Sequence, residues 1–121
     1  MISKINKIKS KKNRSKIVCL TAYSKTIAEI IDKHCDIVLV GDSLGMVLYG
    51  MESTRKVTLD MIINHAKSVK RGISKSILVI DMPYQTYRNK KEAYKNAKKI
   101  IKTTKCDALK LEGGKKIINV I

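Results

Sequence analysis

Three carboxylates each follow a short apolar run. Asp42 stands two residues past Ile37-Val38-Leu39-Val40, Asp81 directly follows Ile77-Leu78-Val79-Ile80, and Glu112 directly follows Ala108-Leu109-Lys110-Leu111. Four-residue runs of this kind are too short for free-standing helices and suit buried strands. If the strands are parallel, their C-terminal ends lie together, and acids far apart in sequence converge on one face. That is the face on which α/β proteins build active sites. Like charges gathered there repel unless a cation joins them. Oxygen-only ligation suits a hard ion, Mg2+ or a relative, with waters completing the octahedron. The competing reading is structural, because turns just past strands often use Asp. One such acid would be read as a turn residue; acids after three of four strands are less easily dismissed, and the pattern alone leaves both readings open.

Lys110 adds to the constellation. It lies within a strand, two residues before Glu112, so both side chains point to one face. A lysine in an apolar strand is costly unless paired. It is therefore expected either to pair with a neighbouring acid or to meet the carboxylate of a substrate. Ser43, beside Asp42, could donate to the same anion. His34 and His65 read as helix-end and packed or surface histidines rather than ligands. The segment 41–45 has two glycines but lacks the Lys-Ser/Thr pair of a phosphate loop.

The elements that must position these residues follow from the pattern. Apolar runs at 17–20, 37–40, 77–80 and 108–111 alternate with amphipathic stretches. Ser24, Thr58 and Asn89 are expected N-caps. Leu59, Ile62, Ile63, Ala66 and Val69 form one apolar stripe, and Ala93, Tyr94, Ala97, Ile100 and Ile101 another. Gly72 is expected to end the helix before it, and residues 115–121 to begin a fourth helix. The stretch between Gly45 and Thr58 reads as a loop. Strands alternating with helices argue for a parallel α/β sheet with right-handed crossovers. The alternation alone does not separate an open doubly wound sheet from a barrel.

Composition narrows the function classes. The chain has 121 residues, 44% of them apolar, which suits one small globular domain. The net charge is +16, a value that invites a nucleic-acid partner. Yet the basic residues are 22 Lys against 4 Arg, and bidentate readout prefers Arg. A solvated lysine surface is the favoured reading, and a nucleic-acid partner is not expected. Residues 1–16 hold seven basic residues and no acid, and read as a basic lead-in distinct from residues 17–121. The three cysteines match no metal or redox spacing, so reduced thiols and a cytoplasmic location are expected. No apolar run approaches the ~20 residues of a membrane span.

Five segments carry a family resemblance, in order and at compatible spacing. They are Leu20-Thr21-Ala22-Tyr23, Val38-Leu39-Val40-Gly41-Asp42-Ser43-Leu44-Gly45-Met46, Val57-Thr58-Leu59-Asp60, Asp81-Met82-Pro83-Tyr84 and Leu109-Lys110-Leu111-Glu112-Gly113-Gly114. Together they resemble the N-terminal half of ketopantoate hydroxymethyltransferases. Ser24, Gly50-Met51-Glu52 and Gln85 depart from the family's usual residues without removing a proposed ligand. The resemblance implies a phosphoenolpyruvate/pyruvate-like (β/α)8 TIM barrel, of which residues 17–121 would form the first four strands. It implies transfer of a hydroxymethyl group from 5,10-methylenetetrahydrofolate to 3-methyl-2-oxobutanoate, giving 2-dehydropantoate. It assigns Asp42, Asp81 and Glu112 to Mg2+, and Asp42, Ser43, Asp81 and Lys110 to the oxoacid. It also implies a homo-oligomer, and a glutamate general base beyond these residues, so no catalytic residue is assigned within the chain. A barrel needs ~250 residues, and four strands alone would expose two edges and an apolar face. The chain by itself is therefore expected to be inactive, and unstable or self-associating. The alternatives are another Mg2+-dependent oxoacid barrel enzyme of lyase or mutase type, and a basic nucleic-acid-binding module.

Overall fold

β-Branched and leucine runs become four strands: β1 Cys19–Thr21, β2 Ile37–Val40, β3 Ile77–Asp81 and β4 Ala108–Lys110. The structure is a computed structural model that describes residues 3–121; Met1 and Ile2, the first two residues of the basic lead-in, lie outside the described residues. Between the strands lie α2 Lys25–Ile31, α3 Leu44–Tyr49, α4 Leu59–Lys70 and α5 Lys90–Thr104, preceded by α1 Lys4–Lys9. Two 3-10 turns, Thr54–Lys56 and Gly114–Ile117, complete the list of elements.

All pairings are parallel and the strand order is β1-β2-β3-β4. A doubly wound sheet requires a reversal of strand order at a switch point. Sequential order through right-handed crossovers instead stacks every helix on one face, as in a barrel. The ambiguity left by the alternation is thus resolved in favour of barrel winding.

The register divides the sheet into two unlike faces. Val38 pairs with Leu78 and Val40 with Ile80, so these four point the same way. All four are fully buried, beneath Ala28 of α2, Ile62, Ala66 and Val69 of α4, and Ile100 of α5. Burying each such side chain contributes about 1.5–3 kcal/mol, before the entropy of ordering it. The opposite face carries Leu39, Val79 and Ala108, which remain half-exposed, and ends in Asp81 and Lys110. One face is a finished core. The other, which would line the interior of a barrel, is apolar below and charged at its rim.

The caps form as the sequence indicates. Ser24, Thr58 and Asn89 accept from the backbone N–H groups of Ile27, Met61 and Glu92. Glu92 closes the return bond by accepting from the Arg88 N–H at 2.9 Å, a capping-box arrangement one residue offset.

Two expectations are corrected, and two other positions gain a structural reason. The lead-in carries a helix: Ser3 caps α1, Lys4 Nζ donates to the Ser76 carbonyl at 3.0 Å, and Lys11 pairs with Asp36 at 2.6 Å. A six-residue helix cannot stand alone, so these tertiary contacts hold it. The stretch after Gly45 is not simply loop. Leu44 and Gly45 bury the start of α3, and Gly50, at φ 63°, terminates it in a left-handed cap. Gly72 follows α4 for a packing reason, since an added Cβ would lie 2.4 Å from the Lys25 carbonyl oxygen. The last segment forms only the 3-10 turn Gly114–Ile117, with no α-helix over residues 115–121. Among the described residues no helix is long and apolar enough to cross a membrane.

Candidate functional site

Asp81 ends β3 and Lys110 ends β4, and they are register partners, so their side chains stand side by side on the open face. Lys110 Nζ donates to Asp81 Oδ1 at 2.7 Å, and Asp81 is almost wholly buried. Glu112, two residues further along the same face, accepts from the same ammonium at 2.8 Å. Burial disfavours charge on Lys110, but the hydrogen bonds and charges of Asp81 and Glu112 outweigh it. They hold the ammonium well above the ordinary lysine range. Of the two expectations for Lys110, the pairing with neighbouring acids is therefore what the structure shows.

Gly41 lets β2 approach this pair. A Cβ there would lie 3.4 Å from Asp81 Oδ2 and 3.0 Å from Ser43 Oγ. Without one, the Asp42 N–H donates to Asp81 Oδ2 at 3.1 Å. Both oxygens of Asp81 are thus engaged, one by an ammonium and one by a backbone donor. The Asp42 carboxyl is pushed above the usual range by burial first, then by the charge of Asp81. A hydrogen bond from the Thr54 side chain opposes this, Glu112 adds to it, and Lys110 opposes it. Asp42 therefore feels both other acids, and the three share one rim.

Ser43 is held from the side. Its Oγ lies 2.6 Å from the Tyr23 hydroxyl. The Tyr23 carbonyl accepts from His65 Nδ1 at 2.8 Å, and His65 Nε2 lies 3.0 Å from the Tyr49 hydroxyl. A carbonyl only accepts, so Nδ1 carries the proton, and in the neutral ring Nε2 accepts from Tyr49. His65 is not a ligand but a brace joining α4, α3 and the segment after β1.

Over the rim opens a cavity of about 570 Å3, whose lining includes Asp42, Thr54, Arg55, Tyr84, Tyr87 and Glu112. Tyr87 Oη accepts from the Glu112 N–H at 3.2 Å, fixing the chain as it leaves β4. Arg55 stacks its guanidinium 5.1 Å from the centre of the Tyr84 ring.

The structure brings Asp81, Lys110 and Glu112 into direct contact. Asp42 joins them through its backbone, and Ser43 stands next to Gly41. Among the described residues, no three His, Cys, Asp or Glu side chains converge closely enough to cage a metal ion. Lys110 occupies the space between Asp81 and Glu112. The donors are nonetheless of the kind a hard divalent cation accepts. They are carboxylate oxygens beside open volume for waters. The sequence reading passed over Thr54, Arg55, Tyr84 and Tyr87 as site residues. A signal existed for one of them: Arg55 is among only four arginines in a chain with 22 lysines.

The family model described as ketopantoate hydroxymethyltransferase matches residues 2–121. The chain is 66% identical over 121 residues to 3-methyl-2-oxobutanoate hydroxymethyltransferase of Pelagibacter ubique (strain HTCC1062), covering 100% of this chain and 47% of that protein. It is 53% identical over 116 residues to the protein of that name in Rhizobium etli, covering 95% of this chain and 42% of the relative. With the Anaplasma marginale (strain St. Maries) protein it shares 54% over 114 residues, covering 94% and 41% respectively. The chain thus spans less than half the length of the curated relatives it matches. With a family model matched across nearly all its residues and relatives above half identity, the chain belongs to the ketopantoate hydroxymethyltransferase family.

Proposed function

We propose that this chain supplies the oxoacid-binding rim of an enzyme that transfers a hydroxymethyl group from 5,10-methylenetetrahydrofolate to 3-methyl-2-oxobutanoate, giving 2-dehydropantoate. The observation that carries the reading is the Asp81–Lys110–Glu112 cluster, set beside Asp42 at the C-terminal ends of parallel strands. Family membership supports the same reaction.

In this reading Asp42, Asp81 and Glu112 hold Mg2+, in part through water. When bound, the ion supplies Lewis-acid stabilisation of negative charge developing on the oxoacid. The chain's own residues do the rest. An ammonium has three N–H donors. Lys110 uses two on Asp81 and Glu112, leaving the third for the carboxylate of the oxoacid. Because its neighbours keep it protonated, that charge is present at any working pH. Ser43 donates to the same substrate, its hydroxyl held by Tyr23. The base that removes the proton next to the ketone is assigned to no residue of this chain. We propose a cytoplasmic location, in keeping with the three free cysteines, and a homo-oligomer, as the family resemblance implies.

The test is calorimetric titration of the chain with 3-methyl-2-oxobutanoate, with and without Mg2+. Binding is expected only with Mg2+, and to weaken at least about tenfold in Lys110→Ala, which removes a charged donor. Equal binding without the ion and without Lys110 would refute the reading. In a parallel assay the 121-residue chain alone should form no 2-dehydropantoate from the two substrates; robust turnover would place the base within it.

A further inference from the structure

Ser43 occupies the N-cap position of α3, yet its hydroxyl makes no cap bond. A serine there ordinarily accepts from a backbone N–H in the first turn, reaching it from extended backbone. Ser43 is instead already helical, with φ −53° and ψ −17°. Its hydroxyl meets the Tyr23 hydroxyl at 2.6 Å. A phenol is the better donor of the two, so Tyr23 donates and Ser43 accepts. Ser43 thereby keeps its own proton for a ligand, with its rotor fixed.

The aim of that hydroxyl is only as good as the position of the phenol, and no strand pairing holds Tyr23. β1 ends at Thr21, and the Ala22 N–H still donates to the Leu39 carbonyl at 3.1 Å. The Tyr23 carbonyl lies beyond the ladder. Its donor is His65 Nδ1, 2.8 Å away and 42 residues on in the sequence. His65 stands in the middle of α4, which the buried Ile62, Ile63, Ala66 and Val69 seat on the core. The far side of the ring is fixed by Tyr49. Its hydroxyl lies 3.0 Å from Nε2, and its ring packs edge-on, with centroids 5.9 Å apart and planes at 89°. A histidine that merely tied α4 to α3 would need only the Tyr49 contact. The Nδ1 bond goes to the backbone of the residue that holds Ser43.

We propose that His65 is a positioning residue of the oxoacid site: it anchors the Tyr23 backbone, and Tyr23 in turn aims the Ser43 hydroxyl. The imidazole acts through these residues rather than on the ligand. The inference rests on the reading above for the identity of the oxoacid, but not for the mechanical link from His65 to Ser43.

The experiment has a binding arm and a ligand-free arm. In the first, 3-methyl-2-oxobutanoate is titrated into the chain with Mg2+ present. His65→Ala should weaken binding about three- to tenfold, the worth of one neutral hydrogen bond. In a chain that already carries Ser43→Ala, the same change should add nothing, because the hydroxyl it aims is gone. A merely structural histidine would give additive losses. His65→Asn, whose amide nitrogen falls near the place of Nδ1, should restore most of the affinity. His65→Gln, whose amide reaches toward the place of Nε2, should not. In the second arm, NMR of the free chain follows the Ser43 amide and the Tyr23 ring. Both signals should move in His65→Ala and His65→Gln and return in His65→Asn. Circular dichroism checks that each variant keeps the fold, and if His65→Ala does not, the Asn and Gln pair decides. Additive losses, equal rescue by Asn and Gln, or Ser43 and Tyr23 signals unmoved by loss of the imidazole would each overturn the proposal. If the parent chain binds no oxoacid, the reaction assignment falls, and the NMR arm alone decides the link from His65 to Ser43.

Discussion

Asp32 and Asp42 occupy opposite ends of the same sheet and are treated in opposite ways. Asp32, buried at the end where the strands begin, accepts from the backbone N–H groups of Ser74, Lys75 and Ser76 and from the Ser74 hydroxyl. Burial raises its carboxyl, but this ring of donors overrides burial and holds it far below the usual range. Asp42, where the strands end, has two acids for neighbours, and its carboxyl is raised by burial first and then by the charge of Asp81. The first acid is satisfied by the fold and locks the approach to β3. The second is left in need of positive charge. An acid that the fold fully satisfies has nothing left to offer a ligand; one that it frustrates does.

The contrast can be broken most severely at Asp32. Asp32→Ala strands several backbone donors and should cost about 2–4 kcal/mol in urea denaturation at neutral pH. A loss below measurement error would mean the donors find water instead. Next, Lys110→Met leaves the buried Asp81 with only its backbone donor and should cost about 1–3 kcal/mol. The double variant with Asp81→Asn should recover part of that loss, which a double-mutant cycle reads directly. Asp42→Asn should act in the other direction. Without a cation it should relieve repulsion and raise Tm slightly, and it should abolish the stabilisation that added Mg2+ is expected to give the parent chain. A fall in Tm would show that the Asp42 charge is already neutralised by the protein.

The smallest effect is the shape of the pH profile, and the two acids act with opposite sign. The depressed carboxyl of Asp32 contributes stability that is fully present above the unfolded value of about 3.9 and is lost as pH falls through the folded one. The carboxyl of Asp42, raised by burial first and then by Asp81, imposes a cost that is present above its folded value and is relieved as pH falls through it. The parent chain should therefore gain a little stability on mild acidification before losing more in stronger acid. Asp42→Asn should lose the gain, and Asp32→Ala much of the later loss, as followed by Tm across the acid range.

What was legible in the sequence was local or periodic. β2 is a run of β-branched and leucine residues with no competing signal, so its bounds at Ile37 and Val40 are read directly. The caps at Ser24, Thr58 and Asn89 are decided within four residues of chain. The gathering of Asp42, Asp81 and Glu112 followed from a single inference, that the strands are parallel. Lys110 was flagged because a lysine in a strand must be explained. What was not legible depends on segments meeting across the fold. α1 is held by Ser76 and Asp36, residues far along the chain. The reason for Gly72 is the backbone of Lys25, over forty residues earlier. Arg55 and Tyr84 are twenty-nine residues apart, and nothing in either segment alone announces the stacking of one on the other.

The brace from Tyr49 through His65 and Tyr23 to Ser43 has a consequence for how this rim tolerates change. It lashes two helices and the segment after β1 into one girdle, so that a helix on the outer layer sets the aim of a hydroxyl on the inner one. A change at His65 would be felt as poorer alignment of Ser43, although the imidazole never meets the molecule being aligned. The outer layer is thus part of the aiming apparatus.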